Sequence, residues 1–246
     1  MTATRRTLAT AGRVLAQLRH DPRTVAMLLL VPCLLLVLLR YMYDQQPATF
    51  DRIGPELLGV FPLLVMFLVT SVAMLRERTS GTLERLLTMP LGKLDLLLGY
   101  ALAFGAVALL QAALASALTI GVLGLDVAGP TWALFAVAVA DGLLGMALGL
   151  LVSAFAATEF QAVQFLPAVL LPQLLLCGLF VPRDDMATVL RWISDVLPLS
   201  YAVDAMSRIT ADSGLGGRVI ADLAVVAGCA LLALALGAAT LRRRTA

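Results

Sequence analysis

Six apolar runs, over residues 25–39, 57–75, 94–125, 132–157, 163–181 and 219–241, each reach or approach the length needed to cross a bilayer. A helix rises about 1.5 Å per residue, so about 20 apolar residues span about 30 Å of hydrocarbon. Inside lipid every backbone polar group must find its partner within the chain, and a run of this length does so as a helix. Hydrophobic residues make up 61% of the chain and charged residues 14%, too few to cover the surface of a soluble protein of this length. The expected fold is an all-α integral membrane protein of six transmembrane helices in a single domain over 1–246. An interfacial helix lies within 1–23, a charged segment at 76–93 and a polar segment at 182–218. The first run is short unless Arg40 snorkels outward and Tyr41 and Tyr43 anchor at the interface. The third and fourth are longer than required and predict tilt or protruding ends.

Lysine and arginine next to spans are retained in the cytoplasm, which orients the chain. Arg5, Arg6, Arg13, Arg19 and Arg23 precede the first run, Arg76, Arg78, Arg85 and Lys93 lie between the second and third, and Arg242, Arg243 and Arg244 follow the last. Both termini are therefore expected inside and the mixed-charge stretch 182–218 outside. The first run lacks a small-x-small cleavage site and is expected to stay attached.

Several function classes fall away on composition. A net charge of +2, with arginines at the ends of runs instead of along a stripe, does not fit nucleic acid. Cys33, Cys177 and Cys229 sit in apolar stretches without CxxC spacing and read as packing residues. His20 is the one histidine, which leaves His-centred catalysis and His-ligated metal without material.

Ahead of the first run, Leu8, Ala11, Leu15 and Leu18 recur at helical spacing while Arg6, Arg13 and Arg19 point elsewhere, and Asp21-Pro22 ends the helix. Such a helix is expected to lie on the inner leaflet, as a lipid anchor or also against a cytoplasmic partner. In the charged segment Thr79 and Ser80 are candidate N-caps, Glu84 falls in the first turn and Pro90 ends a helix of two or three turns. A helix so short needs packing to persist. Leu83, Leu86 and Leu87 are expected to grip the spans, with Glu84, Arg85 and Thr88 turned to the cytoplasm. The segment reads either as a docking surface or as a turnaround between two spans.

The run Glu77-Arg78, Gly81-Thr82-Leu83-Glu84, Leu86-Leu87 and Pro90 resembles the cytoplasmic coupling segment of ABC-2 type transporter permeases, the group that includes daunorubicin-resistance-type exporters. Asp21-Pro22-Arg23 with Pro32, the stretch Gly178 to Pro182, and Pro198-Leu199-Ser200-Tyr201-Ala202-Val203-Asp204-Ala205 agree in the same order. Cys177, Tyr100 and Arg208 depart from the usual pattern. The resemblance implies a bacterial inner-membrane permease that pairs with a second permease subunit, identical or related, and with two copies of an ATPase subunit that carries the ATP and Mg2+. No cofactor is implied on this chain, and no GxxxxGK[ST] phosphate loop occurs in it. It implies a coupling helix from Gly81 to Met89, ATPase contacts at Glu77, Arg78, Gly81, Thr82, Glu84, Arg85 and Thr88, and short outer re-entrant helices that cap the exit near Trp192 and Tyr201.

Within the spans Asp141 is the one acid deep in an apolar run, where an ionised carboxylate costs about 2.5–3.5 kcal/mol. Asp141, Gln111, Gln164 and Gln173 would line a translocation path, or equally hydrogen-bond between helices. Asp222 reads as an interfacial residue at the start of the last span. Gly142, Gly145 and Gly149 give the fourth span a small face for close helix approach, and Pro167 and Pro172 permit a bend in the fifth. Trp192 and Tyr201 suit the headgroup level, so 182–218 is expected as short helices dipping into the outer leaflet. The expected activity is export of a lipophilic drug, lipid or lipid-linked glycan, with hydrolysis on the partner. The alternative is an ion-coupled secondary transporter using Asp141, and an intramembrane hydrolase lacks a nucleophile–base pair.

Overall fold

Asp21 ends one helix and starts the next. Its carboxylate accepts from the Thr24 amide at 3.2 Å and the Thr24 hydroxyl at 2.6 Å, and Pro22, which has no amide hydrogen to leave unsatisfied, takes the first helical position. The computed structural model describes residues 3–80 and 92–240, and nine α-helices occur among them. They are α1 (Ala3–Arg19), α2 (Pro22–Met42), α3 (Pro47–Thr79), α4 (Lys93–Gly121), α5 (Thr131–Val152), α6 (Glu159–Leu176), α7 (Thr188–Val196), α8 (Pro198–Ala211) and α9 (Gly217–Thr240). No strand occurs among the described residues. Six of the helices, α2 to α6 and α9, are long and apolar enough to cross a membrane, and the chain is a multi-pass membrane protein.

α3 and α5 form the axis, with 56% and 61% of their apolar windows buried, against 22% for α2 and 17% for α6 at the perimeter. Lipid is as apolar as leucine, so helices associate here through close packing rather than through expulsion of water. The glycine face of α5 supplies it. A Cβ on Gly145 would stand 2.2 Å from the Leu63 carbonyl oxygen, and one on Gly149 would stand 2.1 Å from Thr70 Oγ1. Thr70 bridges the same seam, its hydroxyl reaching the Met146 carbonyl at 3.3 Å. The small-residue face is thus used within the chain, against α3.

Several helix ends fall away from the apolar runs. α2 has 21 residues and includes Arg40, whose Nε donates to the Leu123 carbonyl at 3.2 Å, whose Nη1 lies 3.5 Å from the Asp44 carboxylate and whose guanidinium lies 5.6 Å from the Phe50 ring centre. α3 begins at Pro47 rather than 57 because Glu56, which hydropathy places outside the span, faces protein. Thr79 belongs to the last turn of α3, its hydroxyl bonded back to the Leu75 carbonyl at 3.1 Å, and Ser80 is the C-cap, so neither stands where the expected N-cap does. The expected coupling helix, with Leu83, Glu84, Arg85, Leu86, Leu87, Thr88 and Pro90, lies outside the described residues, as do Arg242, Arg243 and Arg244.

α1 packs on the bundle by its small and polar residues. It buries Thr7, Thr10, Ala11 and Val14 and leaves Leu8 and Leu15 exposed. The reason is Gly99: a Cβ there would meet Thr10 Cβ at 2.5 Å, so α1 seats directly on α4 with Leu8 and Leu15 turned outward. Arg13 consequently points inward. At the opposite end Leu199, Ala202, Val203, Ala205, Met206 and Ile209 of α8 are all buried in the main core. Gly129, on the α4–α5 connection, donates to the Ile209 carbonyl at 3.0 Å and leaves no room for a side chain there.

Gly145→Ala is expected to lower the thermal unfolding midpoint of the purified protein, since the added methyl must push α5 off α3 at about 1–3 kcal/mol. Gly228→Ala, at a site with nothing within 4 Å, should leave the midpoint unchanged or raise it. Equal midpoints for the two would mean the α3–α5 seam does not set stability.

Candidate functional site

The described polar groups gather at the two ends of α3. At the α1 end, Arg13 donates from Nη1 to Glu77 Oε1 at 3.1 Å and from Nη2 to the Tyr100 hydroxyl at 2.7 Å. One arginine thereby joins α1, the last turns of α3 and the first turns of α4. One residue earlier on α3, Arg76 grips Glu159 at the start of α6 through a two-pronged pair, Nε–Oε1 at 2.8 Å and Nη2–Oε2 at 3.1 Å. On the far side of 81–91, Arg6 stands 3.8 Å from Asp95, which also accepts from the Gly92 amide at 3.2 Å at the N-terminus of α4. Both flanks of the segment 81–91 are therefore tied to α1, and its leading flank also to α6.

These ties differ in strength. The Arg76–Glu159 side chains are 63% and 52% exposed, so water screens them and the pair contributes no more than about 1 kcal/mol. Glu77 is buried to 9%, and removing Arg13 would strand its carboxylate beside Tyr100. Between the pairs opens a cavity of about 820 Å³ with Leu68, Val69, Val72 and Phe104 on its apolar wall and Asp21, Arg76 and Glu159 at its rim. The Thr24 hydroxyl, then its amide, hold the Asp21 carboxyl below the usual carboxylate range.

At the other end of α3, Glu56 accepts from Ser207 of α8 at 2.8 Å on Oε1, while Oε2 has no partner. Above it Arg183 pairs with Asp195 and, at 3.0 Å, with Asp204, its guanidinium 5.5 Å from the Tyr201 ring centre. The Tyr201 hydroxyl donates to the Asp195 carbonyl at 2.6 Å, and Ser194 closes α7 onto α6 through the Leu176 carbonyl at 2.7 Å. Glu56, Arg183, Asp195, Asp204 and Ser207 border a polar chamber of about 330 Å³. Asp222, at the start of α9, is buried 4.0 Å from Arg208.

One turn below Glu56 on the same face of α3 comes Gly59, and Asp141 Oδ2 lies 3.6 Å from where a Gly59 side chain would begin, with Met206 alongside. Asp141 is fully buried, and neither oxygen has a hydrogen-bond partner among the described residues. Gln111 is likewise buried with both polar atoms unpartnered, and Gln173 donates to the Val169 carbonyl at 3.2 Å. Gln164 stands on the exposed face of α6, so the four polar residues read from the spans do not share one surface. Of the partner-contact residues, Glu77 faces α1 and Arg78 is half-buried, while Gly81, Thr82, Glu84, Arg85 and Thr88 lie outside the described residues. Trp192 is exposed on α7, whereas Tyr201 is folded under Arg183.

Sequence reading missed Arg13, Glu56, Glu159 and Arg183. The only signals were slight: Tyr100 departs from the pattern of resembling permeases, and the mixed signs of 182–218 permit internal pairing.

A family model described as ABC-2 type transporter matches residues 6–210. The probable multidrug ABC transporter permease YbhR of Escherichia coli (strain K12) is 29% identical over 155 residues, 63% of this chain and 42% of that protein. The probable multidrug ABC transporter permease YbhS of the same organism is 26% identical over 171 residues, 69% of this chain and 45% of that protein. ABC transporter G family member 20 of Dictyostelium discoideum is 27% identical over 161 residues, 65% of this chain and 22% of that protein. The alignments thus span less than half the length of these curated relatives.

Arg13→Gln should loosen α1 from α4, with amide hydrogen exchange in α1 faster by about tenfold or more, whereas Arg76→Gln, which deletes an exposed pair, should leave α1 protection as it is. Unchanged exchange in Arg13→Gln would show that the junction does not hold α1.

Proposed function

The chain belongs to the ABC-2 type transporter family, and on that premise we propose that it is the membrane-spanning permease subunit of an ATP-driven exporter whose ATP and Mg2+ are bound by a separate ATPase subunit. The observation that carries this reading is the anchoring of 81–91: Arg13–Glu77 and Arg6–Asp95 fasten its flanks to α1, and Arg76–Glu159 fastens the entry to α6. A push delivered to that segment by a soluble partner reaches three helices at once. Glu84, Arg85 and Thr88, with Gly81 and Thr82, form the contact in this reading, and Glu77 and Arg78 act behind it as the transmitting turn.

Two ATPase copies and a second permease subunit, identical or related, complete the transporter. α6 is the face offered to that second subunit or to the path between them. It is the least buried of the six apolar helices and the least apolar, and Gln161, Gln164, Pro167 and Pro172 stand exposed along it. Lipid is a poor neighbour for an exposed glutamine amide at span depth. Export is the direction proposed, with the α1 end and both termini on the cytoplasmic side of a bacterial inner membrane, following the excess of arginine there. Cargo enters as a lipophilic drug, lipid or lipid-linked glycan at the inner-leaflet cavity, whose apolar wall and charged rim suit an amphiphile, and leaves past α7 and α8. The designation of YbhR as a probable multidrug permease supports the drug class.

In this cycle ATP draws the ATPase subunits together, 81–91 moves, and the exposed Arg76–Glu159 pair is the first tie to yield, since solvent screens it. α6 then shifts against the fixed α3–α5 axis. The buried Arg13–Glu77–Tyr100 junction keeps α1 travelling with the end of α3.

Joint replacement of Glu84 and Arg85 by alanine should abolish cargo-dependent ATP hydrolysis in proteoliposomes holding permease and ATPase, while thermal stability and membrane insertion stay normal. Unaltered coupling in that variant sinks the proposal. Ion-driven cargo flux by the permease alone, lost in Asp141→Asn, would instead establish the ion-coupled reading that the unpartnered Asp141 oxygens favour.

A further inference from the structure

The chamber at the α7–α8 end has a charge layout that its own ion pairs do not exhaust. Its volume of about 330 Å³ sits at the lower edge of the roughly 300–1,000 Å³ typical of small-molecule sites. At its floor Glu56 is only 4% exposed; Ser207 takes Oε1, and Oε2 has no partner among the described residues. A buried carboxylate oxygen left bare is costly unless a donor reaches it. On the wall Arg183 uses both terminal nitrogens on Asp195 and Asp204, while its Nε has no hydrogen-bond partner among the described residues, and Arg208 Nε has only the Asp222 carboxylate at 4.0 Å. Arg52 and Arg218 border the same chamber, are exposed, and form no ion pair among the described residues.

Four arginines and a buried carboxylate oxygen with no hydrogen-bond partner among the described residues therefore border one small space, with Arg52 and Arg218 on its exposed side. A plain anion is repelled at the floor by Glu56 and by Asp204 nearby, and a plain cation must pass Arg52 and Arg218. A molecule with both charges meets neither obstacle when its cationic end leads. The acceptor at the floor further requires N–H donors on that end, which a primary ammonium has and a quaternary ammonium lacks. Arginine forks at the mouth match the flat set of oxygens on a phosphate.

We propose that this chamber binds a small zwitterion with a primary ammonium and a phosphate, the chemistry of a phosphoethanolamine group, its ammonium on Glu56 and its phosphate among Arg52, Arg208 and Arg218. The site stands apart from the transport reading, because its layout depends on neither direction nor energy source. Such a group occurs free in solution or at the head of a membrane lipid.

Isothermal titration calorimetry on the full chain in dodecyl maltoside micelles tests it, with sn-glycero-3-phosphoethanolamine as the probe. Saturable one-to-one binding is expected, weaker by about tenfold or more for glycerophosphocholine, which has no ammonium N–H, and for glycerol 3-phosphate, which has no ammonium. Glu56→Gln should weaken glycerophosphoethanolamine by a similar factor and bring it level with the choline compound. Joint replacement of Arg52 and Arg218 by glutamine, both on the exposed rim, should weaken all three phosphates in a protein that elutes as wild type, and this keeps the test decisive if Glu56→Gln does not fold. Dihexanoyl phosphatidylethanolamine that competes with the probe and binds about tenfold tighter identifies a lipid as the source; equal affinity identifies the free zwitterion. No saturable binding, equal affinity for the ethanolamine and choline compounds, or rim and floor variants that bind as wild type would each overturn the proposal.

Discussion

Gly145 and Gly149 have no room for a methyl group, and from that constraint the rest of the structure follows. In lipid there is no water to drive apolar faces together, so the pair of helices that approach most closely becomes the fixed element against which the others are placed. α5 lies so near α3 that backbone meets backbone at Leu63 and Phe67. The 33 residues of α3 extend for about 50 Å at 1.5 Å per residue, longer than the hydrocarbon is thick. Its two ends therefore emerge on opposite sides, and each emerging end carries one acid turned inward: Glu77 against Arg13, and Glu56 against Ser207. A single stiff rod pinned at its centre thus bears both polar sites.

The centre of that rod explains Asp141. Gly59 removes a side chain from α3 where the Asp141 carboxyl points, and Met206 of α8 covers it. No donor accompanies the space. An ionised carboxylate without partners is costly in such a position. Glu56, one turn nearer the chamber, has a hydroxyl partner and a polar cavity above it. Two carboxylic acids, one on α5 and one on α3, are thereby held in two different environments.

The six crossings were legible because length and apolarity alone decide them. Their ends were not, since a charge at a span end reads as solvent-facing until its partner is known. Glu56 and Arg40 belong to helices and reach groups distant in sequence, Ser207 and the Leu123 carbonyl, although Arg40 also has Asp44 four residues on, and Asp222 meets Arg208 only across the turn between α8 and α9. α1 gave a similar difficulty. Its leucines mark the helical period, but the face it buries is set by a glycine on another helix, and Thr7 and Thr10 sit there because Gly99 lets them. Gly142, Gly145 and Gly149 were readable as a close-packing face because that property is local to one helix. The site was the least legible part. Arg13, Tyr100 and Glu77 come from three elements, and no spacing rule connects residues that meet only after α1 has seated on α4.

The distribution of strength among these contacts constrains how the bundle can move. The α3–α5 seam is made of backbone contact and cannot open in steps, because a small separation forfeits its packing and leaves Asp141 without cover. The Arg76–Glu159 pair is the reverse case, exposed and replaceable by water at little cost. The Arg13 junction lies between them, buried on the Glu77 side and open on the Arg13 side. Displacement applied at the end of α3 is therefore divided unequally. α6 buries Ala162, Leu170 and Gln173 in the bundle, yet it is the least buried of the six apolar helices and the ion pair at its start is solvent-screened. α1, held through a buried acid and seated over a glycine, moves with the end of α3. The α3–α5 packing has the most to lose from separation, Glu56 ties α3 to α8 through Ser207, and α7 is fastened to the end of α6 through Ser194.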